Sequence, residues 1–319
     1  MIRLAAATLA TALLMASAAR ADEVPQTVAD LARALPGCES IETCPAARAL
    51  IARGPTALWP ALGPHLTDPD ELVRFWTLGV LSEVPIPAAR EAVTARLSDT
   101  AVRVRAAAAF ALGALADRAS TPDLLKALTD EDLNVRFAAA VALGALKDPA
   151  AVMGLIAACR DLDEDVRAHA AAALGETQDK RATAALLERV DQDIHAQVRG
   201  YAAMALAQIG DPTAIPALRK HLVEEKDAKA LAATAYALGA LDDRQSIGAI
   251  ETLLRHPDET VREYAAEALA KLKRPAKPAP AEPAPAEPAK TTPAPAKSTP
   301  APAKATPAKT KSSTPARGR

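Results

Sequence analysis

The sequence predicts an all-α protein, a right-handed α-solenoid of stacked helical hairpins that ends in a polar tail. Three observations carry that prediction. A Val-Arg pair recurs every 31 or 32 residues through the middle of the chain. An apolar stripe at helical spacing accompanies each pair. After Arg274 the composition turns to Pro, Ala and Lys, which cannot build a core.

In chain order, residues 1–21 read as a secretory signal. Arg3 supplies the positive start, residues 4–15 are apolar, and Ala19-Arg20-Ala21 matches a small-residue cleavage site, which leaves Asp22 as the mature N-terminus. The apolar stretch falls short of the about 20 residues that a membrane span needs. No other stretch is long and apolar enough, so no membrane span is expected after cleavage. The expected location is therefore periplasmic or secreted.

Residues 22–67 precede the regular repeat and read as N-terminal capping helices over 28–35, 46–53 and 56–66. Between the first two, Cys38 and Cys44 flank a short loop with Pro36-Gly37 and Pro45 beside it. In an oxidising compartment they are expected to form a disulfide that staples the cap. Cys159 falls on an apolar helix face and reads as a buried free thiol.

Residues 68–274 carry the repeat. Its anchors are Arg74, Arg105, Arg136, Arg167, Arg199 and Arg262, each preceded by Val. One further unit places Ala230-Leu231 where Val-Arg belongs. Six residues before each anchor stands Asp, Glu or His, and seven after it always stands Leu. Counting the anchor as zero, positions −1, +3, +7 and +10 form one helical face of Val, a small residue, Leu, and usually Leu or Ile. Position +6 is Ala in every unit but the first, which allows neighbouring helices to approach closely. The acidic residue at −6 reads as a helix cap or turn residue. A first helix fills the rest of each unit, for example 121–129 and 149–160. Asp148-Pro149 and Asp211-Pro212 open such helices with a cap and a Pro at the first position. A lone hairpin of this kind cannot bury its apolar face; stacking makes the core continuous.

The tail, residues 275–319, holds twelve of the 26 prolines and no Leu, Ile, Val or aromatic residue. It reads as disordered or extended, with a reach on the order of 140 Å at about 3.1 Å per residue. Its net charge is +6, against −9 for residues 22–274. A basic tail points to acidic surfaces, such as an acidic envelope polymer, and an acidic body argues against nucleic acid as a partner.

The segments DLNVRFAAAVALG (132–144) and DEDVRAHAAAALG (163–175) resemble the HEAT-like repeats named after phycobilisome lyases. The resemblance covers about residues 68–272. It implies an Asp–Arg ladder between successive units and a concave surface lined by each second helix. The departure at Leu231 predicts a break in that ladder.

The sequence holds no H-E-x-x-H, no G-x-S-x-G, no phosphate loop and no dinucleotide fingerprint, and its histidines share no metal-ligand spacing. Neither catalytic residues nor a cofactor are expected. The aromatic residues are few, and all but Trp59 fall on second helices. Positions +1, +5 and +9 turn away from the apolar stripe and hold Phe75, Phe110, Phe137, Val141, Met204 and Tyr236; position +2 adds Trp76, His169, Tyr201 and Tyr264. Large side chains on that face suit a groove for another protein or peptide segment. The expected function is an exported protein-binding scaffold. A lyase-type enzyme or cofactor-attachment factor on the same fold is the alternative that the resemblance allows.

Overall fold

The computed structural model describes residues 43–274 apart from Arg53, together with Ala34 and Ser40. The secretory signal, the expected capping helix over 28–35 (Ala34 excepted), Cys38 and the basic tail lie outside those residues. Cys44 is disulfide-bonded. It also opens the first described helix: its Sγ accepts a hydrogen bond from the Ala47 backbone N–H at 3.3 Å.

Helices α1 (Pro45–Ile51) and α2 (Pro55–Leu62) begin the described residues. Where one helix was expected over 56–66, α2 stops at Leu62, and a 3-10 turn follows over Gly63–Thr67. Gly63 and Pro64 suit the tighter turn. The second helices are α3 (Glu71–Glu83), α5 (Val102–Leu115), α7 (Leu133–Leu146), α9 (Glu164–Thr177), α11 (Ala196–Ile209), α13 (Ala228–Ala240) and α15 (Glu259–Leu272). Between them lie the first helices α4 (Arg90–Ala95), α6 (Thr121–Ala127), α8 (Val152–Ala158), α10 (Thr183–Gln192), α12 (Ile215–Glu224) and α14 (Ile247–Leu253).

The first helices are shorter than the sequence suggests. The helices expected over 121–129 and 149–160 span Thr121–Ala127 and Val152–Ala158. A 3-10 turn leads into each of α4, α6, α8, α10, α12 and α14. Before α8, Asp148 caps the turn Pro149–Ala151 by accepting from the Ala150 N–H at 3.0 Å. Pro149 has no N–H of its own to satisfy, so it fits the first position.

The second helices form for identifiable reasons. Ala and Leu dominate them, and both are strong helix formers. Asp70, Asp132, Asp163, Asp227 and Asp258 cap five of the seven by accepting backbone N–H groups of the first turn. These caps lie four residues before the anchor, so the acidic residue at −6 is a turn residue with another task. At the far end, α5, α7 and α9 stop at Ala116, Lys147 and Gln178 in the left-handed region, with φ of 52°, 48° and 54°. Only α11 uses glycine there, Gly210 at φ 69°.

The core is the seam between neighbouring helices. Val104, Val135, Val166 and Val198 and Leu112, Leu143, Leu174 and Leu206 are fully buried. Successive second helices are the most extensively packed pairs, and successive first helices barely meet. Gly113, Gly144, Gly175 and Gly239 explain the close approach. A Cβ on Gly113 would lie 2.8 Å from the Ala142 Cα, and one on Gly239 2.6 Å from the Ala268 Cα. Each of these glycines thus faces the +6 alanine of the next unit. Tight packing on one side of the stack and loose packing on the other curve it toward the second helices, which makes theirs the concave face.

The ladder is present. Arg74, Arg105, Arg136 and Arg167 fork onto Asp99, Asp130, Asp161 and Asp193, and Arg199 onto Glu225, with Nε and Nη2 donating at 2.6–3.1 Å. Each Nη1 also donates to two carbonyls of the turn before its own helix, as Arg136 does to Asp130 and Glu131 at 3.0 and 3.1 Å. The acid at −6 therefore receives the arginine of the preceding unit. The same carboxylate accepts an N–H two residues on, as Asp130 does from Asp132 at 2.9 Å. At Leu231 the ladder breaks as the sequence predicts. Arg219, on first helix α12, forks onto Asp243 in the turn before α14 and joins the same two repeats at a different point. Arg262 keeps its two backbone bonds, to His256 and Pro257, both at 2.8 Å.

Candidate functional site

The concave face is built from the outward rows of the second helices. Its aromatic side chains meet across repeats. Phe110 on α5 stands edge-on to Phe137 on α7, with ring centroids 6.1 Å apart. Phe137 meets His169 on α9 at 4.4 Å, and His169 meets Tyr201 on α11 at 5.6 Å. Four successive second helices thus contribute one ring each to a single row. His169 is oriented by its Nδ1–H, which donates to the Asp165 carbonyl at 2.8 Å.

Two grooves flank this row. One, of about 640 Å³, is lined by Phe75, Phe110 and Phe137, with Ala106, Ala107 and Gly79 as its floor and Arg103 and Asn134 at its edge. The other, of about 810 Å³, runs across α11, α13 and α15 and is lined by Tyr201, Met204 and Tyr264 above Gly200, Ala232 and Ala233. The small residues that let the helices pack closely also leave the grooves open.

The expected binding residues therefore separate. Phe75, Phe110 and Phe137 line the first groove, and Tyr201 and Met204 the second. Phe110 and Tyr201 are the most open of the row, 39% and 38% exposed. Trp76, Val141 and Tyr236 line neither groove. Trp76 packs partly on the core and edge-on to Phe75 at 5.4 Å. Tyr236 pairs with Tyr264 at 5.7 Å and is covered by Lys271, whose Nζ lies 3.7 Å from the ring centre. Val141 is half-buried. Helical angle alone places these side chains on the outward face; the neighbouring repeat decides how much of each remains open.

Sequence reasoning missed the polar edge of the second groove. Asp227 and Asp258 cap α13 and α15 there, beside Lys229 and Thr260. Asp227 accepts from the N–H groups of Lys229 and Ala230 at 2.9 and 3.0 Å. Gln197 at the same edge donates to Asp165 at 3.2 Å. The aspartate that stands four residues before five of the seven anchor positions carries the signal that would have found them.

The described residues contain no group of three or more His, Cys, Asp or Glu placed to hold a metal, and no helix long and apolar enough to cross a membrane. Cys159 is free and buried, and burial pushes its thiol up to about 12, which removes the thiolate needed for nucleophilic chemistry.

A family model described as HEAT repeats matches residues 91–161, 152–236 and 220–284, together more than half of the chain. Among solved structures, the X-ray structure of YibA from Escherichia coli is 24% identical, over 77% of this chain and 92% of that one, with a TM-score of 0.56. The complex of CpcE and CpcF of phycocyanin lyase from a Nostoc species is 21% identical, over 81% of this chain and 99% of that one, with a TM-score of 0.45. An engineered protein is 26% identical, over 77% of this chain and 78% of that one, also with a TM-score of 0.45. No curated protein sequence matches this one.

Proposed function

This chain belongs to the HEAT-repeat family, and from that premise we propose that it is an exported scaffold that binds a segment of another protein on its concave face. The observation that carries the reading is the ring row from Phe110 to Tyr201, one side chain per repeat, with an open groove on either side. A row of large, partly exposed rings over a floor of alanine and glycine supplies apolar area at low entropic cost, which is what binding hot spots use. The protein acts by holding its partner, not by transforming it. The basic tail gives it a second means of attachment, to an acidic polymer of the cell envelope.

The test is recovery of partners from envelope extracts. Wild type is expected to retain a protein that the double variant Phe110→Asp, Phe137→Asp loses, with the helical circular-dichroism signal unchanged. Equal recovery by both removes the groove assignment. Export is tested separately by cell fractionation and N-terminal sequencing. A mature chain starting at Asp22 outside the cytoplasm is expected, and a cytoplasmic chain that keeps residues 1–21 would refute it.

A further inference from the structure

The concave face has a charge to match as well as a shape. The first turns of the second helices place Asp132, Asp163, Glu164, Asp165, Asp227 and Asp258 along one edge of the concave face. The cations on the same turns outside the ladder pairs are Arg103, whose Nε lies 3.5 Å from Glu71, Lys229, and Arg262, whose Nη1 donates to the carbonyls of His256 and Pro257. The helix dipoles offset about half a charge at each N-terminus, which leaves the edge negative. The five ladder rungs do not change this balance, because each is a neutral pair.

The spacing of the row restricts the shape of what lies along it. Successive rings stand 6.1, 4.4 and 5.6 Å apart, so the row is a continuous aromatic strip and not a set of separate anchors. A polyproline II strand lies extended along such a strip, advancing about 3.1 Å per residue with no internal hydrogen bonds to break. Aromatic-lined grooves recognise such strands because proline arrives already ordered. Tyr201, Met204 and Tyr264 form an apolar channel of that kind, and Asp227 and Asp258 stand at its rim.

We infer that the occupant of the concave face is an extended, proline-containing, lysine-rich segment of a partner protein, with its prolines on the rings and its lysines against the carboxylate edge. This inference rests on the scaffold reading and narrows it. The experiment is a fluorescence-anisotropy titration with three labelled peptides of equal length. The first repeats Pro-Ala-Lys, the second has Glu for every Lys, and the third has Gly for every Pro. Each is measured on the full chain and on a chain ending at Arg274, which removes a competing stretch of lysine and proline.

The Pro-Ala-Lys peptide is expected to bind about tenfold or more tightly than either other peptide, and to weaken as salt is added. Tyr201→Ala with Met204→Ala should weaken it about tenfold. Glu164→Gln with Asp165→Asn, both on the surface, should flatten its salt dependence. Equal binding of the Lys and Glu peptides, equal binding of the Pro and Gly peptides, or no binding at all overturns the inference. If the Phe110 and Phe137 pull-down still recovers a partner in any of those cases, the scaffold stands and only its partner chemistry is wrong.

Discussion

Replacing Arg167 with alanine is expected to lower the unfolding free energy by about 3–5 kcal/mol, the cost of breaking a buried ion pair from one side. A fall in the urea midpoint reports it. Arg167 and Asp193 are 8% and 6% exposed, and the arginine forks onto the carboxylate at 2.8 and 3.1 Å. Its Nη1 also donates to the carbonyls of Asp161 and Leu162 at 2.9 and 3.0 Å. Alanine strands all four acceptors at once. Asp193 keeps the His195 N–H at 3.0 Å and a long contact to Arg189 at 3.4 Å, which do not replace the fork. Two controls separate this from a general loss of charge. Arg160→Ala removes an equally short pair with Glu188, 2.8 Å, from a side chain 64% exposed, and should leave the urea midpoint almost unmoved. Arg167→Met with Asp193→Leu removes both charges and should recover most of the loss. A single variant as mild as Arg160→Ala would mean that the ladder does not hold the repeats together.

The same ladder sets the response to acid. Burial pushes the carboxyls of Asp99, Asp130, Asp161, Asp193 and Glu225 up, but the arginine forks and the turn N–H groups outweigh it and hold all five below their ordinary range. A carboxylate with a lowered folded-state pKa binds fewer protons folded than unfolded. Its stabilisation is therefore complete above the ordinary value of about 4, and is lost as pH falls through the folded value. The urea midpoint should stay level from about pH 7 to about pH 5 and then drop. The Arg167→Met, Asp193→Leu variant, with one rung fewer, should drop less. A midpoint that does not move down to about pH 3 would contradict the ladder as the acid-sensitive element.

Much of the fold was legible because the repeat is written in residues whose roles do not depend on their neighbours. The Val before each anchor and the Leu seven residues after it are buried in every repeat that carries them, and Leu231, which has no side-chain donor, interrupts the ladder where expected. Less legible were features that arise between repeats. Thr121 donates to Asp148 at 2.7 Å and Thr183 to Asp211 at 2.9 Å, joining one repeat to the turn of the next. Nothing at a single position marks those pairs. The site divides in the same way. Helical angle placed Phe110, Phe137 and Tyr201 on the outward face, but the same angle placed Tyr236 there too, and Lys271 from the next helix covers its ring. Exposure in a solenoid is a property of two adjacent repeats, and a one-repeat reading resolves direction without resolving cover.

Glycine shows that dependence most sharply, because two helical glycines of this chain should respond to the same substitution with opposite signs. Alanine is preferred over glycine inside a helix by about 1 kcal/mol. At Gly248 on α14, a Cβ meets nothing within 4 Å, so Gly248→Ala should stabilise the protein by about 0.4–1 kcal/mol. At Gly239 on α13, a Cβ would sit 2.6 Å from the Ala268 Cα, 2.7 Å from its Cβ and 3.2 Å from its carbonyl oxygen. Two of those atoms are backbone and the third is attached directly to it, so no rotamer change relieves the clash. The helices must move apart. That opens the seam lined by Leu238, Ala265 and Leu269, all buried, and overpacking of this kind costs about 1–3 kcal/mol. The substitution also widens the interval between α13 and α15, the walls of the second groove, so the Gly239→Ala chain should lose groove binding beyond what its lower stability explains. Urea unfolding of the two single variants checks the signs. If both glycines tolerate alanine equally, the close approach of second helices is not what curves this solenoid.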